Sequence, residues 1–321
     1  MHVIWDRYPE IKKELLEIIS LMDENAKCKD KVIENSIKEL VHANGKMIRP
    51  AFTIIAAHFG NYKPEKVRAL SAVVELFHMA TLVHDDVIDD AKLRRGRETI
   101  QSKYGKEYAV YIGDYLFCIC FKILAQTASL QSIQMDSRAM SRICLGEVEQ
   151  LNSRFNTEVS VKNYLRRIAG KTAELFSLSL YIGAAECETG DKLAKAFHRI
   201  GHQIGMAFQI IDDILDYTGD EESIGKDNVK DIREGIYNLP LIYALEKKPK
   251  DLITLLEKES YEEADLKEIV RLVHEYKGIE KARKLAKKYT EKAYKLINKL
   301  PENPYKEVLL EVVQMLLDRS Y

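Results

Sequence analysis

Apolar residues recur every three or four positions along almost the whole chain, which is the period of an amphipathic helix. The pattern predicts helices over residues 9–26, 31–43, 64–89, 106–128, 160–186 and 191–217. Proline residues stand where these helices begin or where the chain turns, and the ring is tolerated there. The chain shows no convincing pair of strands joined by a hairpin turn. The pattern therefore predicts an all-α protein.

Several of these helices are apolar nearly all the way round, as expected of a helix surrounded by others. The last third, from Asp251 onward, is more charged and fits helices at the periphery of a bundle. No serine- or glycine-rich linker and no repeat of fixed period divides the chain. We therefore predict a single all-α domain over residues 1–321, folded as one large helical bundle.

Charge and cysteine content exclude several classes of function. The chain has 49 basic and 50 acidic residues, so no overall field favours nucleic acid or an anionic membrane surface. Its five cysteines are odd in number and lack a C-x-x-C spacing, which argues against a disulfide framework and for a reducing cytosol. The N-terminus has no signal-peptide core, and we expect no apolar run to be long enough to span a bilayer. We expect a cytoplasmic protein that binds no nucleic acid.

Two acidic clusters are the most informative local pattern. Each ends a predicted helix with the sequence D-D-x-x-D: Asp85, Asp86, Asp89 and Asp90 in one, and Asp212, Asp213 and Asp216 in the other. Aspartates four apart share a helix face, where like charges cost about 0.2–0.5 kcal/mol per pair, and the helix dipole disfavours anions at this end. One such cluster could be a solvated helix end. Two of them favour a bound cation, and carboxylates that leave room for water and substrate phosphates suit Mg²⁺.

Basic residues beside glycine or in loops offer candidate anion sites. They are Lys46, Arg49, Arg94, Arg95, Lys171 and Lys226. Each one alone is best explained as a surface charge. Together with two metal-binding clusters they predict a pocket for two diphosphate groups, of which one becomes a leaving group when its charge is neutralised.

The motifs GKMIRP, HDDVIDDAKLRRG, GDYL, GEVEQ, GKTAELF, FQIIDDILD and GKDNVKDIREG follow one another between about residues 44 and 240. In this order the chain resembles the trans-isoprenyl diphosphate synthases, the head-to-tail prenyltransferases, and most of all the catalytic component of two-part hexaprenyl or heptaprenyl synthases. The resemblance implies an isoprenoid-synthase bundle around a central cavity, usually a homodimer. It also implies Mg²⁺-dependent condensation of isopentenyl diphosphate with an allylic diphosphate, giving a medium- to long-chain all-trans product.

The resemblance further implies roles for individual residues. Isopentenyl diphosphate would be bound by Lys46, Arg49, His78 and Arg95. The metal ions would be bound by Asp85, Asp89, Asp212 and Asp216. The allylic diphosphate would be bound by Arg94, Lys171, Thr172, Gln209 and Lys226. Catalysis would rest on Asp85, Asp89, Asp212 and Lys171. For His78 alone, a satisfied core histidine is the competing interpretation.

Product length is predicted from the helix that leads to the first cluster. Short-chain members of the family carry a bulky aromatic residue five positions before the motif, and this chain has Ala80 there, with Thr81 beside it. Phe77, one helical turn further back, would form a deeper and partial floor for the growing product. The competing interpretation is that Ala80 is a small residue where two helices pack closely.

One position departs from the family pattern. The segment GIYNLP has Ile236 where the family usually has a lysine, so the allylic site loses one cationic contact. Two-component synthases also tend to lack that lysine, which suggests a small regulatory partner subunit. Three other functions stay open: a short-chain synthase, a class I terpene cyclase, and a prenyl-diphosphate-binding subunit that is poorly active alone. Transient membrane contact for product release is also possible.

Overall fold

The computed structural model describes residues 2–43, 45–94, 96–218 and 230–318. A short 3₁₀ helix, Val3–Arg7, precedes the α-helices. These are α1 Pro9–Ala26, α2 Lys31–Val41, α3 Ile48–Ala57, α4 Pro64–Ile88, α5 Ile100–Tyr104, α6 Lys106–Thr127, α7 Leu130–Asn152, α8 Val161–Ile168, α9 Glu174–Glu186, α10 Asp191–Leu215, α11 Lys230–Arg233, α12 Leu239–Leu245, α13 Lys250–Leu256, α14 Glu263–Glu275, α15 Gly278–Ile297 and α16 Pro304–Leu317. The all-α prediction is confirmed.

Helix boundaries follow the sequence signals closely. Helix α1 spans the predicted residues, and α4 and α6 each end one residue earlier than predicted. Proline is at the first or second position of α1, α4, α12 and α16, where its missing N–H has no intrahelical partner to lose. The side chain of Ser160 caps α8 by accepting a hydrogen bond from the backbone N–H of Asn163 at 3.2 Å.

Two local features were not predicted. The run 160–186 is not one α-helix, because a π-helical turn, Ala169–Ala173, separates α8 from α9. A two-stranded antiparallel ribbon, β1 Leu93–Arg94 and β2 Arg97–Glu98, follows α4, although the sequence showed no convincing strand pair. Strands of two residues are too short to show an alternating pattern, and Gly96 between them has a positive φ of 75°.

The chain divides into two compact units, Met1–Asp136 with Leu178–His198, and Ser137–Ser177 with Arg199–Tyr321. In the first unit, residues 50–57 of α3 and 69–74 of α4 are all buried. These stretches are therefore buried on every side, as their all-round apolar sequences predict. Trp5 is also fully buried, and its indole N–H donates to the carbonyl of Lys46 at 2.7 Å. That hydrogen bond fixes the backbone just before α3.

In the second unit, the C-terminal helices bury one face each. Helix α15 buries Ile279, Ala282, Ala286, Ala293 and Ile297, which share one face at helical spacing. It packs against α12 and α14, and the approach to α12 is close. A Cβ on Gly278 would lie 2.1 Å from the carbonyl oxygen of Pro240, so only glycine fits there. The charged last third is thus helical, with apolar residues on one face of α14 and of α15.

In the part of the chain that the structure describes, two helices are long and apolar enough, by length and composition alone, to cross a membrane. They are α4 and α6, so the prediction that no run reaches this length was wrong. Of the apolar window, 67% is buried in α4 but only 44% in α6. Core helices of soluble proteins pass the same test, and the two helices are therefore weak evidence for a membrane span.

Candidate active site

The first aspartate cluster lies at the C-terminal end of α4, in the first unit. Asp85 and Asp89 are half-buried, whereas Asp86 is buried with 6% of its surface exposed. The guanidinium Nε of Arg94 donates to Oδ1 of Asp86 at 2.7 Å. Burial raises the pKa of Asp86, and the nearby Arg94 opposes that shift. The middle aspartate is thus held by a residue that was predicted to bind the allylic diphosphate.

Asp90 has a different role, because it ends the helix. It takes the left-handed conformation with φ 48°, and the N–H of Ala91 donates to the carbonyl of Asp86 at 2.9 Å. This is the Schellman arrangement, which satisfies carbonyls left open at a helix end. The side chain of Asp90 pairs with Lys106 at 2.8 Å, and the Lys106 ammonium holds the pKa of Asp90 below its usual value.

The predicted isopentenyl diphosphate residues come from neighbouring elements of this unit. Lys46 is exposed just before α3, and Arg49 is half-buried in the first turn of α3. Helix α3 packs on α4, which carries the half-buried His78. The fourth predicted residue, Arg95, lies outside the described residues.

The predicted chain-length residues lie along α4 behind the aspartates. Phe77 and Ala80 are buried with 3% and 0% exposure, and Thr81 is half-buried. The ring of Phe77 meets the ring of Phe117 on α6 edge-on, with centroids 5.2 Å apart. This contact holds Phe77 in place one turn below Ala80.

In the second unit, Lys171 and Thr172 lie in the π-helical turn. The turn is closed by the N–H of Glu174, which bonds to the carbonyl of Ala169, five residues earlier. Turns of this type are rare in proteins, and many of those that occur lie at functional sites. The ammonium of Lys171 donates to Oε2 of Glu147 on α7 at 2.8 Å. Glu147 belongs to the GEVEQ motif but was not predicted as a site residue.

Glycine residues allow neighbouring helices to approach this turn. A Cβ on Gly205 of α10 would lie 2.5 Å from Cα of Ala173, and a Cβ on Gly170 would lie 2.7 Å from the carbonyl oxygen of Arg142 on α7. Real side chains do not tolerate such distances to backbone atoms. The close packing on α10 accounts for the contact between Thr172 and Gln209, which is one turn after Gly205.

A chain of hydrogen bonds links that contact to the second aspartate cluster. The Thr172 hydroxyl donates to Oε1 of Gln209 at 2.7 Å, and Nε2 of Gln209 donates to Oδ1 of Asp213 at 2.8 Å. The Tyr164 hydroxyl donates to Oδ2 of Asp213 at 2.6 Å. Burial raises the pKa of Asp213 to about 6, and the bonds from Tyr164 and Gln209 oppose the rise. Tyr164 was not predicted as a site residue, although it lies only six residues before the GKTAELF motif.

The aspartates at the first and fifth positions of this D-D-x-x-D motif are less buried than Asp213. Asp212 is exposed and Asp216 is half-buried. Burial raises the pKa of Asp216 to about 9, and the carboxylates of Asp213, Asp231 and Asp212 add to the rise. A divalent cation would remove this repulsion, and hard carboxylate oxygens are the ligands that Mg²⁺ prefers. The residues therefore fit a divalent metal.

Among the described residues, no three His, Cys, Asp or Glu side chains form a group that could hold a metal ion. A metal ion at either cluster would therefore need further oxygens from water or from a bound diphosphate, as is usual for Mg²⁺. The predicted ligand Lys226 lies outside the described residues.

The segment that departs from the family pattern is buried. Ile236 is 7% exposed, so this position carries an apolar side chain inside the unit. The two residues that follow accept hydrogen bonds: the carbonyl of Tyr237 accepts from Nη2 of Arg167 at 2.8 Å, and Oδ1 of Asn238 accepts from the Tyr217 hydroxyl at 2.7 Å.

Comparison with known proteins identifies the group to which this chain is related. The family model described as "Polyprenyl synthetase" matches residues 30–273. The chain belongs to this family. It is 38% identical over 253 residues to heptaprenyl diphosphate synthase component 2 of Geobacillus stearothermophilus, which covers 78% of this chain and 79% of that protein.

Solved structures of similar proteins support the same family membership. Geranylgeranyl pyrophosphate synthase of Lactobacillus brevis superposes with a TM-score of 0.94 at 36% identity, covering 98% of this chain and 99% of that one. A polyprenyl synthase of Caulobacter crescentus, complexed with calcium and isoprenyl diphosphate, has a TM-score of 0.88 at 31% identity, covering 97% and 96% of the two chains. The fold is that of the all-α isoprenoid synthases, and the protein is a prenyltransferase of the head-to-tail type. Enzymes of this family use divalent metal to bind diphosphate.

Proposed function

We propose that the protein is a Mg²⁺-dependent polyprenyl diphosphate synthase that condenses isopentenyl diphosphate with an allylic prenyl diphosphate to give a medium- to long-chain all-trans product. One observation carries the proposal. In both D-D-x-x-D motifs the middle aspartate is buried and held by the chain's own donors, Arg94 for Asp86 and Tyr164 for Asp213. The aspartates at the first and fifth positions of each motif are more exposed than the middle one.

The outer aspartates, Asp85, Asp89, Asp212 and Asp216, would hold Mg²⁺, which supplies charge neutralisation for the departing allylic diphosphate. They act as ligands and not as acids or bases. Lys171, Thr172, Gln209, Arg94 and Lys226 would bind the allylic diphosphate, and Lys46, Arg49, His78 and Arg95 the diphosphate of isopentenyl diphosphate.

The reaction follows from holding both substrates in one orientation. The allylic C–O bond breaks, the double bond of isopentenyl diphosphate attacks the resulting cation, and a proton leaves to the departing diphosphate. The chain contributes by positioning two reactants and by fixed charges that stabilise the developing negative charge. Apolar side chains of α4, among them the buried Phe77, would keep water from the cation.

Product length is the main open alternative, because the related proteins differ in it. The Lactobacillus structure is named as a geranylgeranyl synthase and the Geobacillus relative as a heptaprenyl synthase component. Ala80 favours the longer product, since no aromatic ring stands one turn before the first cluster. Replacing Ala80 with Tyr should shorten the product, and replacing Phe77 with Ala should lengthen it.

The quaternary state is a further part of the proposal. We expect a homodimer, and the Geobacillus relative, named as component 2, supports the need for a small regulatory subunit. Ile236 supports the same requirement, because an apolar buried side chain cannot bind diphosphate. Without that subunit the chain would bind prenyl diphosphates but turn over poorly.

We place the protein in the cytoplasm, with transient membrane contact when the product is released.

The test is to incubate the purified chain with farnesyl diphosphate, labelled isopentenyl diphosphate and Mg²⁺, and to size the products by chromatography. The same assay is run on Ala80→Tyr and Phe77→Ala, with far-UV circular dichroism to show that both fold. Product no longer than geranylgeranyl from wild type would favour the short-chain alternative. Activity only after addition of a small protein from the same cell would establish the partner.

A further inference from the structure

Tyr164 is buried in the second unit, with 1% of its surface exposed. Its hydroxyl is fixed on Asp213 at 2.6 Å, and its ring faces the guanidinium of Arg167, whose carbon lies 5.5 Å from the ring centroid. Arg167 is itself buried at 5% exposure and held by the carbonyl of Tyr237. The tyrosine therefore has no freedom to turn without breaking several contacts.

The contacts of Asp213 determine the orientation of Gln209. A carboxylate accepts hydrogen bonds and does not donate them, so the side-chain NH₂ of Gln209 must face Asp213. The amide oxygen of Gln209 then faces Thr172 and accepts from its hydroxyl, as the distances of 2.8 Å and 2.7 Å indicate. If Asp213 rotated, both Gln209 and Thr172 would lose this fixed orientation.

The backbone alone cannot keep Asp213 in place. The N–H of Leu239 is 3.5 Å from Oδ2, at the limit of hydrogen bonding, whereas the Tyr164 hydroxyl is 2.6 Å from the same oxygen. Without that hydroxyl, the carboxylate keeps one bond shorter than 3 Å among the described residues, to the side-chain amide of Gln209. Tyr164 is therefore the rigid support of the whole chain of bonds.

We propose that Tyr164 is a positioning residue for the allylic diphosphate site, acting through Asp213 to orient Gln209 and Thr172 beside Lys171. This rests on the proposed function for the identity of the ligand. Tyr164 does not touch the substrate itself, because its hydroxyl is used inside the unit. Ile236, which departs from the family pattern, directly precedes Tyr237. The carbonyl of Tyr237 holds Arg167, and Arg167 packs on the ring of Tyr164, so this segment helps to fix Tyr164.

The experiment measures binding without turnover. The ligand is an allylic thiodiphosphate, in which sulfur replaces the bridging oxygen and the bond does not ionise, and its affinity is measured by calorimetry with Mg²⁺ present. Tyr164→Phe should weaken binding about tenfold, which corresponds to about 1.4 kcal/mol. The KM for the allylic substrate should rise by a similar factor, while the KM for isopentenyl diphosphate stays within twofold.

The matched control is Tyr181→Phe, which also removes a buried hydroxyl. That hydroxyl accepts from Nε2 of Gln131 at 3.1 Å, and both residues belong to the first unit. Affinity of the control for the thiodiphosphate should equal that of wild type, although its melting temperature falls. Equal weakening by both variants would show a general loss of stability and overturn the proposal.

A double-mutant cycle with Asp213→Ala tests whether Tyr164 acts through Asp213, because alanine has no side-chain acceptor for the Tyr164 hydroxyl. Groups that act through one another are not additive. In the Asp213→Ala background, Tyr164→Phe should change affinity less than twofold. A full tenfold loss in both backgrounds would overturn the proposed route. If wild type binds the thiodiphosphate but makes no condensation product, the proposed function fails while this cycle still decides the role of Tyr164.

Discussion

The two aspartate motifs share the sequence D-D-x-x-D, yet their middle carboxylates are held by different chemistry. Asp86 is held by Arg94, a charged residue whose side chain is 39% exposed. Asp213 is held by the neutral donors of Tyr164 and Gln209 inside the second unit. Both carboxylates are buried, but water reaches the guanidinium of Arg94 and can take its place, so this ion pair is worth less and weakens with salt, whereas Asp213 depends on the two neutral donors enclosed with it. The orientation of the middle carboxylate therefore depends on a water-accessible charge in the first unit and on enclosed neutral donors in the second.

The largest expected effect concerns the outer aspartates, which should be equivalent in the two motifs. Asp85→Ala and Asp212→Ala should each reduce kcat by about a thousandfold or more, as loss of a group that stabilises developing charge does. Removing one of two like charges should leave stability unchanged or raise it by about 0.2–0.5 kcal/mol. Steady-state kinetics and thermal melts test this. Near-normal turnover in either variant would contradict the metal assignment.

A third buried aspartate supplies the limiting case, in which no donor offsets burial. Asp136 on α7 is 2% exposed, and neither carboxylate oxygen has a hydrogen-bond partner within the described part of the chain. Burial raises its pKa from 3.8 to about 7, and Glu186 adds to the rise. Between these values the folded state binds more protons than the unfolded state, so the free energy of unfolding falls as pH rises.

Asp136→Asn should remove that loss of stability. The gain over wild type should widen by about 1.4 kcal/mol per pH unit from pH 5 to pH 7 and stay constant above, because the asparagine does not titrate. Urea denaturation at several pH values measures this. A gain that is the same at every pH would show that Asp136 has found a partner or stays ionised.

The comparison between the two middle aspartates predicts a difference in stability. Tyr164→Phe should lower the free energy of unfolding by about 2 kcal/mol, because a buried carboxylate loses a donor. Arg94→Ala should cost less than about 1 kcal/mol, since water reaches the half-exposed guanidinium and can take its place beside Asp86. Urea denaturation at low and high salt distinguishes them: only the Arg94 effect should shrink with salt. Equal and salt-independent costs would remove the distinction drawn between the motifs.

The smallest expected effect separates the neighbours Asp89 and Asp90. Asp90→Gly should change stability by less than about 0.5 kcal/mol, since glycine favours the left-handed conformation while the exposed pair with Lys106 is lost. Turnover should stay at the wild-type level. Kinetic assays beside Asp89→Ala, which should lose activity, provide the check. A large loss in Asp90→Gly would place this carboxylate among the metal ligands.

The sequence predicted the elements better than their contacts. Helix limits were accessible because apolar period and proline positions are local signals, and α1 was predicted over its whole length. The partner of Asp213 was not accessible, because Tyr164 is 49 residues away and reads as an ordinary apolar position. The second role of Arg94 was missed for a related reason: a basic residue in a loop gives no sign of the carboxylate it meets. The division of the four aspartates of the first cluster into proposed ligands, a buried residue and a helix-ending residue needed the burial of Asp86 and the backbone geometry of Asp90.

The π-helical turn at Ala169–Ala173 has a consequence for protein engineering. Each residue of an α-helix rotates the chain by about 100°, so one extra residue in a turn shifts the facing of everything that follows it. Side chains of α8 and α9 are therefore out of phase with a continuous helical wheel drawn over residues 160–186. Deleting one residue from the turn would restore a regular helix, and it would also swing Tyr164 and Thr172 to different sides. The number of residues in this turn therefore matters as much as their identity, because both determine where Tyr164 and Thr172 point.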